Sequence, residues 1–207
     1  YISLEDTKED LYWRLDAITD KELPNLFLST EDDPIGNLED GLEKHLNNYI
    51  EQHKDMKLIV IDTFQLARGT NRESNYPNDY ADTQKLKKIA DKHKVAILLV
   101  HHLRKMGDRD PVNKLSGTTG ISGAVDCVYI LDKSARLEDV ATLTCTGRDV
   151  EDRELELWFN KESCTWELQS DSLESPEKLL PEEMQRFISF MSEVKNFSGS
   201  NTELAER

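Results

Sequence analysis

Two apolar runs, each closed by polar residues suited to phosphate or metal chemistry, constrain this chain more than any other feature. Residues 57–62 read Lys-Leu-Ile-Val-Ile-Asp and lead into Thr63-Phe64; residues 95–100 read Val-Ala-Ile-Leu-Leu-Val and lead into His101-His102. Each run has the length and β-branched content of a strand buried on both faces, as in a parallel sheet. In open α/β sheets the polar groups just past the carboxyl ends of the strands form the ligand site. Strands that bring an acid and a histidine pair to one sheet edge make Asp62, His101 and His102 the leading candidates for chemistry.

A nucleotide-hydrolysing α/β domain also needs a phosphate cradle, a Gly-rich loop of the form G-x-x-x-x-G-K-[ST]. None of the nine glycines begins that pattern. The nearest stretch, Ser116-Gly-Thr-Thr-Gly-Ile-Ser-Gly123, has no Lys and follows a polar segment instead of a strand. The opening residues Tyr1-Ile2-Ser3-Leu4-Glu5-Asp6 read as the end of a strand. The expectation is a chain that starts downstream of a phosphate loop, binds ATP weakly or not at all alone, and either self-associates through unpaired strand edges or fills the gap with a segment from another chain.

Composition narrows the class. The 207 residues, 37% hydrophobic and 32% charged, suit one α/β domain with a small appendage. No stretch approaches the length of a membrane span and no signal-peptide pattern opens the chain, so a cytoplasmic protein without membrane contact is expected. Cys127, Cys145 and Cys164 are odd in number and lack C-x-x-C spacing. That argues against zinc and a disulfide framework, and for buried thiols. A net charge of −15 excludes indiscriminate nucleic-acid binding by the whole surface. Basic residues nevertheless cluster, at Lys85, Lys87, Lys88, Lys92 and Lys94 and again at Arg104, Lys105, Arg109 and Lys114. The second group reads as a local basic loop able to meet single-stranded nucleic acid in a channel, with a solvated loop as the alternative.

Periodicity supplies the remaining elements. Helical faces are expected at 5–18 (Leu11, Leu15, Ile18), over Leu38, Leu42, Leu46 and Ile50, and at 79–93 with Tyr80, Leu86, Ile89 and Ala90 toward the sheet. Leu23–Leu28 reads as a short edge strand and 125–131 as a third buried strand. Residues 141–146 and 154–159 alternate by two about a turn containing Gly147, a hairpin, and a further strand is expected at 164–168. Segments 68–79 and 103–115 read as polar loops. The domain reading is a core over 1–168, a linker at 169–181 and a helical extension at 182–207. That extension resembles the start of a winged helix, a plain packing helix being the alternative.

Leu4-Glu5-Asp6 after a strand, Ile61-Asp62-Thr63-Phe64, Val100-His-His-Leu-Arg-Lys105 and Ser116-Gly-Thr-Thr together resemble the RecA-like ATPases. The nearest group is the RepA-type hexameric replicative helicases of plasmids, phages and prophages. The resemblance covers about residues 1–168, with a similar helical tail. It implies an α/β fold, a RecA-like mostly parallel sheet flanked by helices with a C-terminal antiparallel hairpin and a short helical extension. It also implies ATP and Mg²⁺ as cofactors, single-stranded DNA as a partner and a hexameric ring. The family's phosphate loop is the feature without counterpart in these residues.

Asp62 has the character of an acid that holds Mg²⁺ through water, against the reading of an Asp capping the next turn. Thr63 stands where many ATPases carry the acid that orients water. RecA-like proteins carry that acid on the neighbouring strand, where Glu5 matches; the alternative is an ordinary acid at a helix start. One of His101 and His102 matches the γ-phosphate sensor, His101 being the closer in motif. Arg148 is the candidate trans-acting arginine, with a turn Arg paired to Asp149 or Glu151 as the alternative. Two other functions remain open from sequence: a non-catalytic DNA-binding replication or regulatory protein, and a metal-dependent phosphohydrolase built on Asp62, His101 and His102.

Overall fold

The computed structural model describes residues 1–30, 32–69, 75–103, 119–133, 138–174, 180, 182–194, 197–200 and 202. Arg104, Lys105, Arg109, Lys114 and Ser116–Thr118 lie outside the described residues, as does all but Thr202 of a last helix that the sequence suggests over 202–205.

Three parallel strands carry the first half of the chain, in the order β1 (Ile2–Ser3), β2 (Leu58–Asp62), β3 (Ala96–Val100). Ile61 pairs with Ile2 on one side and Leu99 on the other, and Asp62 pairs with Ser3 and Val100. The two apolar runs are therefore adjacent and parallel, as their composition predicts. Each is reached by a crossover through helices, which parallel pairing requires.

Helix α1 (Lys8–Ile18) starts at a capping box in which the Thr7 hydroxyl accepts from the Asp10 amide and the Asp10 carboxylate accepts from the Thr7 amide. Helix α2 (Leu42–Gln52) buries Leu42, Leu46 and Ile50, the four-residue stripe seen in the sequence. A single turn, α3 (Phe64–Ala67), follows β2 directly. Helix α4 (Tyr76–His93) begins at Asn75, whose side chain accepts from the Asn78 amide, and ends at Lys94 in the left-handed conformation. These elements enclose one core cluster that includes Ile2, Leu38, Leu42, Leu46, Ile50, Ile59, Ile61, Phe64, Leu86 and Ile89.

The second half folds differently. After α5 (Thr119–Ala124), strands β4 (Cys127–Asp132), β5 (Val140–Gly147), β6 (Arg153–Asn160) and β7 (Thr165–Asp171) form an antiparallel meander in sequence order. Gly147 ends β5 against β4, where a Cβ would lie 2.5 Å from the Asp126 carbonyl oxygen and 2.7 Å from the Cys127 Cβ. Only glycine fits that approach. Helix α6 (Glu182–Val194) is the last element in chain order among the described residues.

Several expectations are corrected. The strands β2 and β3 are not buried on both faces. Ile59 and Ile61 enter the core and Ile97 and Leu99 pack against it, while Leu58 is 55% and Leu98 43% exposed on the opposite face. The physical reason is that α2, α3 and α4 pack on one side only. Residues 125–131 do give a strand, but β4 opens the antiparallel sheet, and Tyr129 and Leu131 are exposed. Leu23–Leu28 forms no strand; the contact with β1 is a single parallel bridge between Ile2 and Ser29. On α4 the exposed Tyr80 does not face the sheet, and Asp79, Asp82 and Thr83 are buried in its place. Strand β7 runs through Asp171, beyond its expected end. Of the cysteines, Cys145 is buried, Cys127 half-buried and Cys164 exposed, all free thiols.

Candidate functional site

Because the three strands of the first sheet are parallel, their carboxyl ends fall in a row, and the register sets what meets there. Ser3, Asp62 and Val100 are laterally paired. The next residues along each strand are Leu4-Glu5, Thr63 and His101-His102. The Leu4 amide donates to the Asp62 carbonyl at 2.5 Å, carrying the pairing one step further. The sequence candidates Glu5, Asp62, His101 and His102 thus converge on one edge.

Glu5 stands at the centre of this edge. Its Oε1 accepts from the Thr63 hydroxyl at 3.0 Å and lies 3.6 Å from His102 Nε2. Its Oε2 has no partner among the described residues. Behind it, the next residue is fixed: Asp6 is held by Arg14 in a bidentate pair at 2.6 and 2.8 Å and accepts from the Ser3 hydroxyl. This brace fixes the backbone from which Glu5 projects.

Asp62 follows the last buried residue of β2, and the Asp62–Thr63 peptide is cis. Its carboxylate accepts a hydrogen bond from the Tyr1 phenol. Burial first, then that bond and the nearby negative charge, push the phenol well above its ordinary value, so it stays a donor. His101 is half-buried, its ring edge-on to Phe64 at 6.0 Å between centroids, whereas His102 is exposed and faces Glu5. The two imidazoles therefore do different things. Among the described residues no three His, Cys, Asp or Glu side chains are grouped so as to hold a metal ion.

That donor set still suits magnesium. Mg²⁺ keeps several waters and takes one or two carboxylates plus substrate phosphates. Asp62, at the strand end with one oxygen engaged by a neutral donor, would be the carboxylate to hold it. Bound there, Mg²⁺ would supply charge neutralisation for a phosphate. Glu5 can accept a proton from, or orient, a water beside it, and His102 can follow the state of Glu5.

Behind the edge, Arg68 is 1% exposed and reaches two fully buried acids on α4, Asp79 at 2.6 Å and Asp82 at 3.0 Å. Its guanidinium also lies over Phe64, 5.8 Å from the ring centroid. This triad locks the segment after β2 to α4. Sequence reasoning passed over it, since nothing in the pattern marks Arg68 as buried. Thr63 was noticed for its position, but its partner lies on another strand and is visible only in the fold.

Other candidates fall elsewhere. Arg148 sits at the end of β5, donating from Nη2 to the Gly123 carbonyl and from its amide to the Asp126 carbonyl. Among the described residues it pairs with neither Asp149 nor Glu151. Three of the α4 lysines are used inside the fold. Lys87 binds Asp126 at 2.5 and 2.6 Å, Lys85 pairs with Glu43, and Lys92 donates to Asn47. A cavity of about 710 Å³ lined by Phe27, Tyr49, His53 and Leu58–Val60 lies at the other end of β2. β1 pairs only with Ile61 and Asp62, which leaves this end of β2 uncovered, and Tyr1, whose phenol reaches Asp62, is among the lining residues. Among the described residues no helix is long and apolar enough to cross a membrane.

A family model described as AAA domain matches residues 1–108, the segment that holds all three parallel strands and their polar edge. No curated protein matches the chain. The matched segment exceeds half of the sequence, and the chain belongs to this AAA domain family of P-loop-type ATPases.

Proposed function

We propose that this chain carries the metal- and water-handling half of the ATP-hydrolysis site of a RepA-type replicative helicase that acts on single-stranded DNA as a hexameric ring. The observation that carries the reading is the convergence of Asp62, Glu5 and His102 on one parallel-sheet edge, with Glu5 gripped by Thr63 at 3.0 Å. Phosphoryl transfer needs a metal-holding acid, a group that orients the attacking water and a γ-phosphate sensor. Asp62, Glu5 and His102 fill those roles in order, with His101 fixed behind them against Phe64. The phosphate-binding lysine comes from outside these residues, since no G-x-x-x-x-G-K-[ST] occurs among them.

Arg148 is the arginine offered to a neighbouring subunit's nucleotide, and Arg104, Lys105, Arg109 and Lys114 contact DNA phosphates in the ring's channel. Neutralising those four lowers single-strand affinity and flattens its salt dependence; an unchanged slope assigns them to solvation. The decisive experiment is ATP turnover by the assembly that supplies the phosphate-binding lysine. Glu5→Gln lowers turnover about 10²-fold or more while nucleotide binding persists, and Asp62→Ala impairs the use of Mg²⁺. Parental turnover by Glu5→Gln removes the reading.

A further inference from the structure

We infer that Thr63 is the positioning residue for Glu5: its hydroxyl occupies Oε1, so that Oε2 is the oxygen presented to the attacking water. The inference rests on the proposed role of Glu5 and adds to it a second residue and an orientation.

The geometry carries it in three steps. Thr63 is the N-cap residue of α3, the position where a Thr hydroxyl ordinarily accepts a backbone amide of the first turn. Here it makes no such cap bond. The hydroxyl instead donates across the strands to Glu5 Oε1 at 3.0 Å. Thr63 is 1% exposed, so this donor has no water to turn to, while the Glu5 side chain is 44% exposed and has three torsions to fix. A buried donor thus restrains an exposed acceptor.

The second step is the sharing of one oxygen. His102 Nε2 approaches the same Oε1, at 3.6 Å. Both neighbours of Glu5 therefore lie on one side of its carboxylate, and Oε2 is left for solvent. In the third step, a carboxylate that receives a hydrogen bond at one oxygen and keeps the other open is held to one orientation. Misplacement of a catalytic group by even about 1 Å carries a large rate penalty. In this chain the acid comes from the neighbouring strand, and the residue after Asp62 supplies the hydroxyl that holds it.

The test uses Thr63→Val, which keeps the branched shape and removes the donor, and Thr63→Ser, which restores it. Thr63→Ala replaces the first if valine does not fold. With glutamate labelled at the carboxyl carbon, the Glu5 signal, assigned by its loss in Glu5→Gln, shifts in Thr63→Val and returns in Thr63→Ser. In the ATP-hydrolysing assembly, Thr63→Val lowers kcat about tenfold with KM within about twofold, and Thr63→Ser stays near the parent. Combined with Glu5→Gln, Thr63→Val causes no further loss.

A parental Glu5 signal and kcat in Thr63→Val overturns the inference, as does a loss that persists undiminished in the Glu5→Gln background. If Glu5→Gln itself turns over ATP at the parental rate, the proposed function fails. The carboxyl signal then still reports whether Thr63 holds Glu5.

Discussion

In the parallel sheet every strand ends on the same side, so β1, β2 and β3 place Glu5, Asp62, Thr63 and His102 within reach of one another. In the antiparallel sheet successive strands end on opposite sides, and β4–β7 bring only Arg148 of the candidate residues to either end. The two sheets also bury their side chains differently. Ile61 and its neighbours belong to a core cluster fed by four helices, whereas the buried apolar residues of the antiparallel sheet are Ile130, Ala141 and Cys145. Parallel pairing demands long crossovers, the crossovers are the helices, and the helices make the core that holds the edge rigid. Antiparallel hairpins need no crossover and so recruit no cover. The site therefore belongs to the half of the molecule whose topology costs most to build.

The contrast is tested most severely by charge. Arg68→Ala removes a buried cation that binds Asp79 and Asp82, and we expect a loss of about 3–5 kcal/mol in urea unfolding. In the antiparallel sheet, Arg153 pairs with Asp171 at 3.1 Å on a surface where the arginine is 41% exposed. Arg153→Ala should cost no more than about 1 kcal/mol. Equal losses at the two arginines contradict the assignment of the rigid core to the parallel half.

Next in size is the chemistry. Removing one positioned charge from such a site costs about 10²-fold or more in rate, near 3 kcal/mol. Glu5→Gln and Asp62→Ala should each show that loss in kcat. Glu156→Gln, an acid of β6 bound to the Ser170 hydroxyl at 3.1 Å, should show none. A shared loss points to a folding effect instead of a site.

Packing gives a finer comparison. Ile61 is fully buried and Ile130 is 1% exposed, so exposure alone does not separate them. Their surroundings do: Ile61 is enclosed by core residues, whereas Ile130 is flanked on its strand by the exposed Tyr129 and Leu131. Large-to-small changes in a core cost about 2–5 kcal/mol, depending on how far the site can collapse. Ile61→Ala belongs at the upper end and Ile130→Ala at the lower, read as the difference in urea midpoint.

How much of this was legible from the residues follows the same division. The runs at 57–62 and 95–100 announced adjacent parallel strands because apolar length and β-branching are local properties, and the polar residues closing them announced the edge. Leu42, Leu46 and Ile50 announced α2 through spacing alone. What stayed hidden depends on distant partners. The burial of Arg68 follows from two acids on α4, and the hydroxyl of Thr63 turns away from its own helix toward Glu5 on β1. The exposure of Leu58 and Leu98 was misjudged for the same reason, since hydropathy states what a strand face prefers and not whether a helix covers it. In Leu23–Leu28 an apolar composition suggested a strand, yet only Ser29 reaches β1, and Leu23, Leu26 and Phe27 are left exposed.

The smallest expected effect concerns the helix that follows Glu5. The Thr7–Asp10 capping box opens α1 two residues after the candidate acid, so its loss tests whether the edge depends on local helix chemistry or on the core behind it. Thr7→Ala should cost about 1 kcal/mol, the usual worth of an N-cap. The Asp10 carboxyl is held below the ordinary carboxylate range by the Thr7 hydroxyl first and the Thr7 amide second. A depressed carboxylate contributes stability that is present above its unfolded pKa and lost as pH falls through the folded value. The gap in urea midpoint between parent and Thr7→Ala should therefore be full at pH 6 and narrow below about pH 4, the ordinary carboxylate value. A gap that does not narrow assigns the effect of Thr7 to its own bond to the Asp10 amide. If Thr7→Ala also leaves the Glu5 carboxyl signal unmoved, the parallel core, the Asp6–Arg14 pair and Thr63 are sufficient to place the acid without the helix cap.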